Sequence, residues 1–214
     1  MKKLIDIFES GTSKSLMKWD HYFEIYERHF QKFVGTSVKI LEIGVQDGGS
    51  LQMWKEYFGK QSTIIGIDIN SIYKFEEEQI CVEIGDQTDI NFLHNIIEKY
   101  GNFDIIIDDG SHNQLDILKS FSFLYPKLND NGVYLVEDLH TSYWKDYGGG
   151  ITSPFNFVSI ASNFTHDTNV QHMREPYTPH IPDLKSISFY NSIVVFEKEK
   201  EQKRHSIISE KNEN

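Results

Sequence analysis

The chain has 214 residues, 39% of them hydrophobic and 14% aromatic, with a formal net charge of -11; that is enough for one well-buried domain and short for two. The acidity argues against a nucleic-acid partner, which needs clustered Lys and Arg, and the single cysteine, Cys81, excludes an internal disulfide or a Cys-rich zinc site. No apolar run approaches the roughly 20 residues of a membrane-spanning helix, and Asp6 and Glu9 interrupt any signal-peptide core in MKKLIDIFES, so a soluble cytoplasmic protein is expected.

Residues 1–36 read as a helical N-terminal segment. Leu4, Ile5 and Phe8 form a short amphipathic turn, the polar GTSKS stretch follows, and Asp20 is placed to cap a helix in which Tyr22, Ile25, Tyr26, Phe30 and Phe33 recur at helical spacing. Such a helix covers a sheet; the alternative is that it also serves a cofactor site or a subunit interface. Residues 37–198 read as the catalytic core. VKILEI (38–43) is the first buried strand, followed by the glycine-rich GVQDGGS and a helix with Leu51, Trp54 and Phe58 on one face. TIIGIDI (63–69) and ICVEI (80–84) are the second and third strands, and a helix over 89–100 carries Leu93, Ile96, Ile97 and Tyr100 on its stripe.

The fourth strand, FDIIIDDGSH (103–112), is a β-branched run bounded by Gly101 and Gly110, as in a strand buried on both faces of a parallel sheet. The next helix is expected to bury Leu115, Leu118, Phe121 and Leu128, and Asn131-Gly132 to turn into the fifth strand, GVYLV (132–136). After a helix around 157–164, KSISFY and SIVVFEK are separated only by Asn191 and must pair antiparallel. Five parallel strands alternating with helices, closed by an antiparallel hairpin, are the plan of the seven-stranded class I methyltransferase (Rossmann-like) fold, an α/β architecture with helices on both faces. Residues 199–214 are mostly charged and read as a disordered tail.

Ligands of open parallel sheets bind beyond the carboxyl ends of the strands, and the polar residues of interest fall there. Glu42, Gly44 and Ser50 frame the first glycine turn, Asp68 is placed to accept from ribose hydroxyls, and Asp86 with Gln87 could read the amino edge of adenine. With Asp109 they describe an adenosyl pocket. Clustered carboxylates need a cation or a proton to offset their repulsion. Asp109, Glu137 and Asp138, without cysteine, suit a hard ion, Mg²⁺ first and Mn²⁺ or Ca²⁺ as competitors. Neighbouring strand residues point to opposite faces, so Glu137 and Asp138 can act together only if the strand ends or twists at Glu137. His112, three residues past Asp109, is the candidate general base; His140, in HTSYW, is its one rival, and His140, Tyr143 and Trp144 are candidate acceptor contacts.

ILEIGVQDGGSLQMW, GIDI, GDQ, DDGSH and VEDLHTSYW, in that order, resemble the class I sugar O-methyltransferases of the mycinamicin and macrocin macrolide type, from about Lys18 to Tyr147. The resemblance implies S-adenosylmethionine as donor, a Mg²⁺ ion on Asp109, Glu137 and Asp138, His112 as general base, a sugar hydroxyl as acceptor, and a homo-oligomer. Asp116 departs from the second histidine that relatives often carry, and their large N-terminal auxiliary domain has no counterpart in these 214 residues. The sole alanine, few arginines and abundant Ile, Asn and Lys suggest an AT-rich genome rather than a macrolide-producing actinomycete. The expected acceptor is therefore a nucleotide-activated hexose or heptose for a surface (capsular) polysaccharide, with a glycosylated natural product such as a macrolide as the alternative. A nicotinamide-dependent oxidoreductase or a non-catalytic adenosyl-binding subunit are the rivals of another class; the glycine spacing is not G-x-G-x-x-G, and a mere binding subunit has no use for His112 beside the acids.

Overall fold

The computed structural model describes residues 2–71, 75–200 and 205–209. Its centre is one eight-stranded sheet built from β1 (Lys39–Ile43), β2 (Thr63–Asp68), β3 (Glu76–Glu77), β4 (Ile80–Ile84), β5 (Phe103–Asp108), β6 (Leu128–Val136), β7 (Leu184–Phe189) and β8 (Val194–Lys198), in the order β3-β4-β2-β1-β5-β6-β8-β7. β4, β2, β1, β5 and β6 run parallel, while β3, β8 and β7 pair antiparallel with their neighbours. The chain builds outward from β1 through β2 to β4, then returns to β5 on the other side. That reversal opens the crevice between the carboxyl ends of β1 and β5, where ligands of such sheets bind.

Strand alternation divides the core in two. Ile40, Ile64, Ile105, Ile107, Val133, Leu135 and Val195 face α1 (Leu4–Ser10), α2 (Tyr22–Phe30) and α3 (Gly49–Phe58), and Trp54 is fully buried among them. Leu41, Ile43, Ile65, Ile67, Ile106, Tyr134 and Val136 face α4 (Ile90–Tyr100), α5 (Gln114–Leu124) and α6 (Phe157–Asn163). With both faces covered, the central strands can be almost continuously apolar, which is why the sequence reads as runs rather than alternations.

Several local expectations need correction. The sheet has eight strands, not seven: two exposed glutamates, with no strand pattern, form a short antiparallel edge against β4. β6 begins at Leu128, so Leu128 belongs to the strand rather than to the preceding helix. Asn131, with φ 64, lies inside the irregularity between the Phe103 and Ile105 pairings. On α5 the apolar stripe buries Ile117, Phe121 and Leu124, while Leu118 is partly buried and Leu115 is exposed. Asp20 does not cap α2: its carboxylate accepts from the His21 amide, and the helix starts without a side-chain cap. Phe33 sits in a 3₁₀ turn and is only partly buried. Of the charged tail, residues 201–204 and 210–214 lie outside the described residues, and Ile207 and Ile208 are exposed. No helix among the described residues is long and apolar enough to cross a membrane.

α2 is fastened to the sheet at its far end by Glu197 of β8, which lies 3.5 Å from the His29 Nδ1 and 3.4 Å from the Lys32 ammonium and accepts from the Ser186 hydroxyl. The contact with His29, aided by Lys32, lowers the Glu197 carboxyl from 4.5 to about 2. A lowered folded-state pKa means stability that is present above the ordinary value and lost as pH falls through the folded one. Glu197→Gln should therefore lower Tm at neutral pH by about 1–4 °C, as fits a partly exposed ion pair of about 0.2–1 kcal/mol. Thermal melts should show the gap to wild type closing between pH 4.5 and about 2; a gap that persists there would contradict the assignment.

Candidate active site

The register of the sheet assembles the site. Glu42 on β1 pairs with Ile107 on β5, which pairs with Leu135 on β6. One pleat further along, the row continues as Gly44, Asp109 and Glu137, closed by amide hydrogen bonds from Asp109 to the Ile43 carbonyl and from Glu137 to the Asp108 carbonyl (both 2.9 Å). Because side chains alternate, Glu42, Asp109 and Glu137 share the face covered by α2 and α3, while Asp108 points the other way. Asp108 is buried against Ser120 (2.6 Å), Gln87 and Tyr134, and burial pushes its carboxyl up to about 6. It is a structural acid. β6 ends at Val136, and Asp138 takes a left-handed φ of 52; this release from strand geometry lets Glu137 and Asp138 act on the same side.

Three acids on one face need a cation or a proton; burial pushes the Glu137 carboxyl up to about 8, and the chain also supplies a cation. The Lys18 ammonium lies 2.5 Å from Asp109 Oδ2, 2.8 Å from Glu137 Oε2 and 4.0 Å from Glu42 Oε1, with only 3% of its side chain exposed. Burial opposes its charge, but Asp109, Glu137 and Glu42 outweigh that and hold its pKa well above the usual lysine value. The other Glu137 oxygen accepts from the Tyr26 hydroxyl at 2.7 Å, and the Tyr22 hydroxyl donates to Asp138 Oδ1 at 2.7 Å. α2 is therefore more than a cover over the sheet: two tyrosines one turn apart reach the acids with their phenolic tips.

One ligand atom each from Asp109, His112 and Asp138 lie within 4.8 Å of one another, the one such group among the described residues. The sequence grouped Asp109, Glu137 and Asp138. The structure keeps Asp109 and Asp138 together and adds His112, whose Nε2 is 3.7 Å from Asp138 Oδ2, while the Glu137 oxygens are engaged by Lys18 and Tyr26. His112 itself has φ 56 and lies just before α5. The residues of this cluster line a cavity of about 370 Å³ shared with Lys18, Trp19, Gln46 and His140. His140 accepts from or donates to Ser192 Oγ at 2.7 Å, and its ring lies between Trp19 and Trp144, at 6.2 and 4.7 Å. Trp19, Tyr143 and Trp144 are about half exposed; Trp144 and Tyr143 are not part of the cavity lining, though Trp144 packs against His140, which is.

A second cavity, of about 240 Å³, is lined by Gly44, Asp68, Asp86, Gln87 and Asp109 among others. Asp68 Oδ2 accepts the Val45 and Gln46 amides (2.9 and 3.2 Å) and so holds the glycine turn as well as facing the cavity. Gln87 spends much of its amide on the DDGSH turn, accepting from the Ser111 amide at 2.8 Å, and Asp86 accepts from the Thr88 amide at 2.7 Å. Two expected members are elsewhere. Glu42 is fully buried, its Oε2 accepting from Trp54 Nε1 at 3.0 Å, and burial pushes its carboxyl up to about 7. Ser50 is buried beside it. The physical reason is the N-terminal strap: a Cβ on Gly49 would meet the Ser15 carbonyl at 2.3 Å, and one on Gly48 the Phe75 ring at 2.3 Å. Those glycines admit the chain's own backbone and side chain.

No family model matches the chain. It is 41% identical over 149 residues to a demethylmacrocin O-methyltransferase of Streptomyces fradiae, a match covering 64% of this chain and 38% of that one. It is 33% identical over 189 residues to the 8-demethyl-8-alpha-L-rhamnosyl tetracenomycin-C 2'-O-methyltransferase of Streptomyces olivaceus, covering 83% of this chain and 50% of the relative. The chain thus spans half or less of the length of these curated relatives. Among solved structures, the MycE methyltransferase of the mycinamycin biosynthetic pathway, in complex with Mg and SAH, superposes with a TM-score of 0.83 at 29% identity, over 93% of this chain and 55% of that one.

Asp109 and Gln46 line both cavities, and Gly44 sets where Asp109 stands. Gly44 has φ +87, and a Cβ there would lie 2.1 Å from the Asp109 carbonyl oxygen. Gly44→Ala should cost at least the roughly 1–3 kcal/mol of an overpacked core, read by urea unfolding. An unchanged midpoint would show that β1 and β5 can part without penalty.

Proposed function

We propose that this chain, homologous to the sugar O-methyltransferases of macrolide and tetracenomycin pathways, transfers the methyl group of S-adenosylmethionine to a hydroxyl of a sugar carried by a glycosylated natural product. The observation that carries the reading is that the two cavities adjoin, with Asp109 and Gln46 lining both, so that a nucleoside donor held by Asp68 and Asp86 and an acceptor held by His112 and Asp138 would meet at the Asp109 carboxylate.

The reaction needs an oxygen nucleophile, a place for its proton and a fixed line of attack. In our reading the acceptor oxygen forms a bond to the sulfonium methyl carbon as the carbon–sulfur bond breaks. His112 takes the hydroxyl proton, with the Asp138 carboxylate 3.7 Å from its Nε2. Pocket walls that hold donor and acceptor at contact distance supply the rest by orientation. Asp109 and Asp138 offer hard oxygens with an imidazole alongside, a donor set that fits Mg²⁺ or Mn²⁺. When bound there, such an ion would acidify a sugar hydroxyl and orient a vicinal pair.

The acceptor reading departs from the nucleotide-activated sugar that the sequence favoured. Of the residues lining the acceptor cavity, Lys18 is the only one with an ammonium, and it is buried and engaged by acids. A pyrophosphate would face Asp109, Glu137 and Asp138 without an arginine or a free lysine, in a chain of net charge -11. A neutral glycoside avoids that repulsion, and the half-exposed faces of Trp19 and Trp144 suit the C–H face of a sugar ring. The relatives' names point the same way, to glycosylated antibiotics.

His112→Ala should lower kcat by about 10²–10⁴-fold while calorimetry finds S-adenosylhomocysteine and Mg²⁺ bound as in wild type. Loss of Mg²⁺ binding instead would make His112 a ligand and not the base. Trp144→Ala should raise KM for a glycoside by several-fold with kcat little changed. In the same methyl-transfer assay nucleotide sugars should be poor acceptors; efficient methylation of one would reverse the choice between glycoside and nucleotide sugar. A larger thermal shift with NAD than with S-adenosylhomocysteine would contradict the donor assignment.

A further inference from the structure

Lys18 is placed where the proposed function has no use for a lysine. An ammonium has three N–H donors. Two are directed at Asp109 Oδ2 and Glu137 Oε2, and the third faces Glu42 Oε1 across 4.0 Å, too far for a hydrogen bond. Glu42 Oε1 is in turn one of only two buried side-chain oxygen or nitrogen atoms without a partner among the described residues. Leaving a carboxylate oxygen buried and unpaired is costly. Here an empty acceptor and an unused donor confront each other over a gap that a small movement of a flexible four-carbon stem closes.

The oxygens that Lys18 holds belong to two of the three acids that the sequence assigns to the metal. Asp109 is also part of the Asp109, His112 and Asp138 group. A divalent ion on Asp109 and an ammonium 2.5 Å from the same carboxylate would repel each other at close range.

On the reading of a divalent ion at the acid cluster, we propose that Lys18 is a built-in stand-in for that ion: its ammonium keeps Asp109 and Glu137 together in the metal-free chain, and metal binding moves it onto Glu42 Oε1. Glu137 then becomes free to join Asp109 and Asp138, which reconciles the ligand set expected from the sequence with the hydrogen bonds seen. The exchange has a second consequence. Lys18 belongs to the strap that crosses the glycine turn, and its neighbours Met17 and Trp19 line the acceptor cavity, so metal loading also adjusts the wall against which the acceptor rests.

The test compares wild type, Lys18→Met and Glu42→Gln as full chains, using Mg²⁺ as the titrant in calorimetry and in thermal melts with and without chelator. Lys18→Met should melt lower than wild type in chelator, gain more from Mg²⁺, and bind Mg²⁺ at least tenfold more tightly, because the competitor is gone. Glu42→Gln should bind Mg²⁺ several-fold more weakly, because the displaced ammonium loses its anionic seat. Should Lys18→Met fail to fold without metal, ¹³C-lysine-labelled wild type gives an independent readout: the Lys18 Cε resonance, assigned with Lys18→Arg, should move when Mg²⁺ is added. Equal or weaker Mg²⁺ binding by Lys18→Met, or an unmoved Lys18 resonance while Mg²⁺ binds, would overturn the exchange and leave the metal reading standing. Absence of Mg²⁺ binding by every one of these proteins would overturn both.

Discussion

Like charge brought to one face of a sheet is the constraint on which the rest of this molecule depends. Parallel register fixes Glu42, Asp109 and Glu137 on the same side of three adjacent strands, and no choice of rotamer takes them far apart. Such a row is tolerable only where a cation or a bound proton offsets the repulsion. The N-terminal segment provides the cation by folding back over the strand ends and inserting Lys18, and the tyrosine hydroxyls of α2 satisfy further oxygens of Glu137 and Asp138. The N-terminal residues thus complete the acid cluster and do not merely shield the sheet.

Order in the two cavities follows from that arrangement. Gly44 permits the end of β1 to touch the Asp109 backbone, Asp68 ties down the turn that follows, and Gln87 braces the loop that carries His112. The cavity proposed for the donor is consequently framed by residues that are themselves held by backbone amides. In the proposed methyl transfer, preorganisation of this kind would spare the site from reorganising as charge moves. On the side proposed for the acceptor the surroundings are more aromatic, with Trp19, His140 and Trp144 in edge contacts.

The sheet was legible because its strands are apolar runs with β-branched residues and its connections are helices with clear stripes. The order of acids at the strand ends was legible for the same reason, since each follows directly on a run. What escaped the sequence was everything set by distant packing. Lys18 sits in a polar stretch that gives no local sign of burial, and its partners are 24, 91 and 119 residues away. Tyr22 and Tyr26 fit a helical stripe as well as any core residue, though a phenolic hydroxyl beneath an acid-rich sheet edge was a usable hint. Gly48 and Gly49 pointed to close approach, but a sequence cannot say whether a ligand or the chain's own strap makes it. Two exposed glutamates forming an edge strand carried no pattern at all.

The most direct test of the account is a crystal structure of the chain grown with Mn²⁺ and S-adenosylhomocysteine, with the ion located by its anomalous scattering. The account predicts one strong peak bounded by the Asp109 and Asp138 carboxylates, with the nucleoside in the cavity faced by Asp68 and Asp86. A nucleoside bound elsewhere, or a peak away from the strand ends, would contradict the claim that Asp109 joins the donor and metal sites.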